Sequence, residues 1–195
     1  MSNEFDRLIV LINPLYRANW EYTPDNPAVV LPLGLLSIGT VLSQKGYKVK
    51  IIDACVNPDY KSEIENIIKE RPLFIGISAM TAHLFSALEI AKLIREKDSS
   101  GIIPIVWGGI HPTIFPEVTA KSPYADIVAI GPGEHVCLEL AEVFSLNKKS
   151  GLQGVRGIAF SENGRVLTTA PREFIDLNNL PFINGFIWLR ITTFI

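Results

Sequence analysis

The sequence predicts an α/β protein built on a doubly wound parallel sheet, and three observations predict it. Short apolar runs alternate with amphipathic stretches, a pattern that requires crossover connections. The runs are rich in Ile and Val and apolar on both faces, as strands covered by helices on each side must be. The 195 residues are 48% hydrophobic and 19% charged, enough apolar material for one well-buried core.

Each element follows from local pattern. Residues 7–12 (RLIVLI) form the first strand. In 34–45, Leu35, Ile38, Val41 and Leu42 share one helical face, and Gly46 supplies a left-handed stop. Residues 47–53 (YKVKIID) form the second strand, and 61–70 a helix with Ile64, Ile67 and Ile68 together. Residues 73–78 (LFIGIS) form the third strand, and 85–95 a helix through Leu88, Ala91 and Ile94. After the fourth strand, 102–107 (IIPIVW), the helix is short and broken by Pro112, Pro116 and Pro123. The fifth strand, 126–130 (DIVAI), leads to a helix over 134–144 with Val136, Leu140 and Val143 at helical spacing. Right-handed crossovers make a five-stranded Rossmann-like sheet in flavodoxin-like order the economical topology.

The pattern changes after residue 147. Residues 155–160 (VRGIAF), the turn signal Glu162-Asn163-Gly164 and residues 165–169 (RVLTT) predict a β-hairpin extension. The expected division is a core domain over 1–147, then hairpin and connector over 148–195. Residues 184–195 (NGFIWLRITTFI) are apolar without a partner in the pattern. They read as a truncated reading frame or a strand awaiting a further domain.

Composition excludes several function classes. Eighteen Lys plus Arg face twenty Asp plus Glu, a net charge of -2, and no stretch clusters the cations that nucleic acid needs. No run approaches the roughly 18 apolar residues of a membrane span, and the polar N-terminus is no signal peptide, so a cytoplasmic protein with no membrane partner is expected. Cys55 and Cys137 are too few for a structural zinc site or disulfide framework and read as buried small apolar residues.

In an open parallel sheet, ligands bind beyond the carboxyl ends of the strands. Asn13 and Pro14 follow the first strand, opening a long connection with Tyr16, Arg17, Trp20 and Tyr22. It is either a binding loop or surface decoration; idly exposed aromatics favour binding. Ser78, Met80 and Thr81 follow the third strand, where the hydroxyls either meet a ligand or cap the helix beginning near His83. The fourth strand ends in Gly108-Gly109-Ile110-His111, where paired glycines either admit a flat group to the main chain or make a tight turn. His111 meets the ligand or locks that turn. Gly131-Pro132-Gly133-Glu134 opens a helix and suits an anion or a ribose, with Glu134 arguing against bare phosphate. His83 and His135 read as structural. No Gly-x-Gly-x-x-Gly follows the first strand and no phosphate-binding Lys loop exists, which disfavours classical dinucleotide and nucleoside-triphosphate sites.

As a set, Pro32-Leu33-Gly34-Leu35-Leu36, Gly76-Ile77-Ser78-Ala79-Met80-Thr81, Gly108-Gly109-Ile110-His111-Pro112-Thr113 and Gly131-Pro132-Gly133-Glu134 resemble the N-terminal cobalamin-binding domain of cobalamin-dependent radical SAM enzymes. Gly157-Ile158-Ala159-Phe160 and Asp176-Leu177-Asn178-Asn179-Leu180-Pro181 look like that family's connector. The resemblance implies a corrinoid, and hence cobalt, held at the carboxyl edge beside Asn13, Pro14, Ser78, Met80, Thr81, Gly108, Gly109, His111, Gly131, Gly133 and Glu134. Mutases carry a cobalt-ligating His after the first strand; here that position reads Asn13-Pro14-Leu15-Tyr16-Arg17-Ala18, which implies His-off cobalt. Pro132 departs from the family's Gly-Glu-Gly-Glu and removes a backbone donor. The cluster cysteines of the radical SAM barrel are absent, so S-adenosylmethionine and a [4Fe-4S] cluster would belong to a separate or missing domain of a methyltransferase or radical enzyme. The rival readings are a flavodoxin-like domain for a flavin or nucleotide and a remnant that binds nothing. A bulky residue at Gly109 is expected to abolish corrinoid binding while leaving the fold intact.

Overall fold

The computed structural model describes residues 7–16, 30–146, 149–173 and 176–183. Arg17, Trp20 and Tyr22 of the first loop, and the apolar stretch 184–195, lie outside the described residues. The elements run β1 (Leu8–Asn13), α1 (Leu33–Gln44), β2 (Lys48–Asp53), α2 (Tyr60–Ile68), β3 (Phe74–Ser78), α3 (Leu84–Lys97), β4 (Ile105–Gly108), α4 (Ile110–Ile114), α5 (Pro116–Ala120), β5 (Ile127–Ala129), α6 (Gly133–Ser145), β6 (Ile158–Glu162) and β7 (Arg165–Thr168).

The five parallel strands stand in the expected flavodoxin-like order, 2-1-3-4-5, but the sheet has seven strands, not five. The hairpin is no appendage. β6 pairs antiparallel with β5 through Val128↔Ala159, and β7 closes the edge through Phe160↔Leu167. The reason is burial: Ile158, Ala159 and Phe160 are all buried, so β6 is an internal strand with both faces covered.

Strand alternation sends side chains to two cores. Leu8, Val10 and Ile12 of β1 pack with Ile64 of α2 and Ile90 of α3 on one face. Ile9 and Leu11 pack with Leu35 and Leu42 of α1 and Leu140 of α6 on the other. Helices therefore cover both faces, as a doubly wound fold demands. β4 begins only after Pro104, which has no N–H for the ladder. The proline-broken helix is two five-residue pieces, with Pro112 inside α4 and Pro116 at the first turn of α5. No helix among the described residues is long and apolar enough to cross a membrane.

Candidate functional site

Strand order reverses between β1 and β3, and beside that switch point the carboxyl edge opens into a slot of about 260 Å³. Its floor sets small residues on neighbouring strands, Gly76 of β3, Gly108 of β4 and Ala129 of β5, beside Leu11 of β1 and Val106 of β4, and Leu11 Cδ2 lies 2.9 Å from where a Cβ on Gly76 would stand. Its roof is Gly34, Leu35 and Ile38 of α1 against Gly133, Glu134 and Cys137 of α6. The two helices close on each other at this end; a Cβ on Gly133 would stand 2.7 Å from Ile38 Cδ1. The slot thus burrows between sheet and helices, where the sequence predicts only a backbone shelf along the edge. Gly108 and Ala129 keep its β4–β5 end free of large side chains, since a Cβ on Gly108 would meet only Ala129 Cβ.

Of the residues singled out by sequence, Ser78, Gly108, Gly109, Gly131, Gly133 and Glu134 line this slot. Asn13, Pro14, Met80, Thr81 and His111 stand outside its lining. Asn13 Nδ2 donates to Asp53 Oδ1 (2.9 Å), and the Pro14 carbonyl accepts from Cys55 Sγ (3.5 Å), so both serve the β1–β2 side of the edge. Thr81 does not cap a helix, and no side-chain cap bond is made at either helical start there. Its Oγ1 instead lies 3.1 Å from His111 Nδ1, which ties the β3 turn to α4. The His111 ring also packs against Phe115. Met80 is exposed, as are Leu33 and Ile110, the chain neighbours of lining residues Gly34 and Gly109. Gly34 and Ile38 are lining residues that site reasoning from the sequence missed, although Ile38 lies on the apolar face of α1 and Gly34 in a quoted motif.

Glu134 accepts a hydrogen bond from Ser37 Oγ (2.7 Å), which fixes the carboxylate between α6 and α1. Gly109 has φ +95°, and a Cβ there would stand 2.8 Å from Ala79 O and 2.9 Å from Ala79 N. Any side chain at Gly109 collides with backbone, so the expected separation of binding from folding fails at that position. Gly108 permits it: its Cβ would meet only Ala129 Cβ, at 3.8 Å.

A second polar group lies at the β1–β2 end. Asp53 is buried, and burial raises its carboxyl pKa against the lowering effect of hydrogen bonds from the Cys55 backbone N–H (3.0 Å) and Asn13. Burial lowers the His83 pKa, opposed by the Asp53 charge, and the ring packs edge-on against Tyr16. Cys55 is exposed, not buried as the sequence suggests; desolvation nevertheless raises its thiol pKa. Cys137 is buried as expected, and burial pushes its thiol up to about 12. Neither thiol is poised as a nucleophile. Among the described residues no group of three or more His, Cys, Asp and Glu could hold a metal ion.

A family model described as the B12 binding domain matches residues 27–141. An uncharacterized methyltransferase of Pyrococcus horikoshii is 34% identical over 146 residues, covering 74% of this chain and 31% of that protein. The anaerobic magnesium-protoporphyrin IX monomethyl ester cyclase of a Synechocystis species is 33% identical over 171 residues, covering 86% and 33%. Among solved structures, the radical S-adenosylmethionine methyltransferase TsrM from Kitasatospora setae, with cobalamin and a [4Fe-4S] cluster bound, superposes with a TM-score of 0.70 at 21% identity, covering 90% of this chain and 31% of that one. The cobalamin-dependent radical enzyme OxsB, with aqua-cobalamin and S-adenosylmethionine bound, gives 0.69 at 24% identity, covering 87% and 23%. These last two are likenesses of fold. The chain spans about a third of the length of the curated relatives it matches.

Proposed function

The chain belongs to the B12-binding domain family, and on that premise we propose that it is the corrinoid-holding module of a cobalamin-dependent radical SAM enzyme. The flat base of the cobalamin nucleotide tail occupies the slot, and the corrin ring lies over its mouth. The observation that carries this reading is the glycine and alanine floor open at the carboxyl edge. A Cβ at Gly34 or Gly131 would meet nothing within 4 Å, so the rim leaves room for a planar group. The slot volume of about 260 Å³ falls just below the roughly 300–1,000 Å³ that encloses a drug-sized ligand. It suits a base and not a macrocycle. The larger ring finds apolar support outside, on exposed Leu33, Met80 and Ile110.

Bound there, the corrinoid supplies a cobalt centre able to carry a one-carbon group. The chain's own residues bind and orient the cofactor: Gly108 and Gly109 by close backbone approach, Ser78 and Glu134 as the polar groups of the lining. No His occurs in residues 13–32, which supports His-off cobalt with its lower face left to water or another side chain. Iron-sulfur and S-adenosylmethionine chemistry belongs to a further radical SAM domain, with residues 148–195 as the connector toward it. Relatives named as methyltransferase and as cyclase share the module, so the module does not define the reaction.

The test is retention. Mixed with hydroxocobalamin and desalted, the purified chain is expected to elute with corrinoid absorbance, and Gly108→Leu to lose it with an unchanged melting temperature. Flavin retained in place of corrinoid, or equal corrinoid retention by the variant, would reject the assignment. Reduction of the complex to cob(II)alamin is expected to give an electron paramagnetic resonance spectrum without splitting from a protein nitrogen; such splitting would overturn the His-off assignment.

A further inference from the structure

We propose that Thr113 is a positioning residue that sets the width of the slot, by clipping together the two glycine turns on its rim. The proposal rests on the reading of the slot as the seat of the nucleotide tail. Thr113 lies on α4, which packs against β4 and β5 but contributes no residue to the lining. Its hydroxyl nevertheless spans both turns. Thr113 Oγ1 donates to the Gly109 carbonyl (2.8 Å) and accepts from the Gly131 N–H (3.0 Å). One hydroxyl uses its single proton on one turn and a lone pair on the other, so the two bonds are compatible in one rotamer.

The turns need such a clip. Gly109 and Gly131 both hold positive φ, +95° and +81°, and glycine loses the most conformational entropy of any residue when fixed. Gly109 is further confined by the Ala79 backbone, through His111 N–H to Ala79 O (3.0 Å) and Ala79 N–H to Gly108 O (2.8 Å). Gly131 has no comparable wall, since a Cβ there would meet nothing within 4 Å. The Thr113 hydroxyl therefore transfers the rigidity of the β4 turn to the freer β5 turn, and both turns line the slot. On the same helix His111 bonds Thr81, so α4 ties the turns after β3, β4 and β5 into one rim. A preorganised slot binds its ligand more tightly because less ordering remains to be done.

Thr113→Val keeps the shape and removes both bonds; Thr113→Ser keeps the hydroxyl. Cobalamin and cobinamide, which has the ring but lacks the nucleotide tail, separate an effect on the slot from a general loss of structure. Thr113→Val is expected to weaken cobalamin about three- to tenfold, the net worth of about one hydrogen bond, to leave cobinamide affinity unchanged, and to be rescued by Thr113→Ser. Unchanged cobalamin affinity, or equal weakening of both corrinoids, would overturn the proposal. Should the wild-type chain retain neither corrinoid, the reading of the slot itself fails. The clip is then judged in the ligand-free chain from hydrogen exchange at the Gly131 amide. Faster exchange in Thr113→Val and wild-type protection in Thr113→Ser support it, and equal exchange in all three rejects it.

Discussion

His83 carries a cost set by its surroundings. Its ring is buried and its Nδ1 has no hydrogen-bond partner among the described residues, so taking up a proton there is unfavourable despite the neighbouring Asp53 charge. The folded-state pKa thus lies below the ordinary 6.5, and as pH falls the unfolded chain is protonated first. The His83 contribution to stability is present above that value and lost as pH falls through the folded pKa. Between about pH 7.5 and about pH 5.5, thermal melts of His83→Phe are expected to lose less stability than wild type. The difference in slope is at most about 1.4 kcal/mol per pH unit, the value for one proton; parallel curves would show that the ring titrates without strain. Asp53 acts in the opposite sense, because its raised pKa lets the folded state gain the proton first. The same scale separates the paired glycines. Gly108 and Gly109 are indistinguishable as letters, yet one faces open slot and the other faces the Ala79 backbone. Sequence located the pair; only the turn geometry says which of them tolerates a side chain.

At the scale of elements, the hairpin shows how much a local pattern conveys. The Asn-Gly turn is legible because both residues must hold positive φ, and Asn163 and Gly164 do, at +51° and +76°. The partner of the hairpin is not legible in the turn, since pairing with β5 is a contact across more than one element. A trace was present in Ile158-Ala159-Phe160, apolar at consecutive positions and so unsuited to a strand with one wet face. Thr169 fastens the far side: Ile158 N–H donates to its Oγ1 (3.0 Å), and the hydroxyl donates back to Ile158 O (3.2 Å). Thr169→Val is expected to cost about 1–2 kcal/mol and to lower the melting temperature by roughly 2–8 °C for a chain of this size. An unchanged melting temperature would show that β6 is held by its backbone pairing with β5 and β7 without the Thr169 hydroxyl. The α1 face followed the same logic, for its apolar stripe was readable. That the stripe also roofs the slot with Ile38 depends on where α6 packs.

At the scale of the whole molecule, one seven-stranded sheet separates the two larger cores and carries the slot at its carboxyl edge, and the cysteine count bounds the chemistry. Fe–S clusters of the radical SAM kind are held by Cys thiolates. This chain has two cysteines, one exposed after β2 and one on the buried face of α6. Supplied with iron, sulfide, reductant and S-adenosylmethionine, the 195-residue chain is expected to form no 5′-deoxyadenosine while still retaining cobalamin; nucleoside release would place a cluster on this polypeptide. The sequence by itself determined the order and type of the elements, because hydrophobic periodicity and glycine stops are local. It also gave the family resemblance, because motif spacing survives in the linear chain. Only the tertiary structure decided that the hairpin completes the sheet, that the glycine edge deepens into a slot beneath α1 and α6, and that Asn13 bonds Asp53 and stands outside the slot lining. Those outcomes depend on which surfaces meet across long stretches of chain, and burial, which no single segment encodes, selects among them.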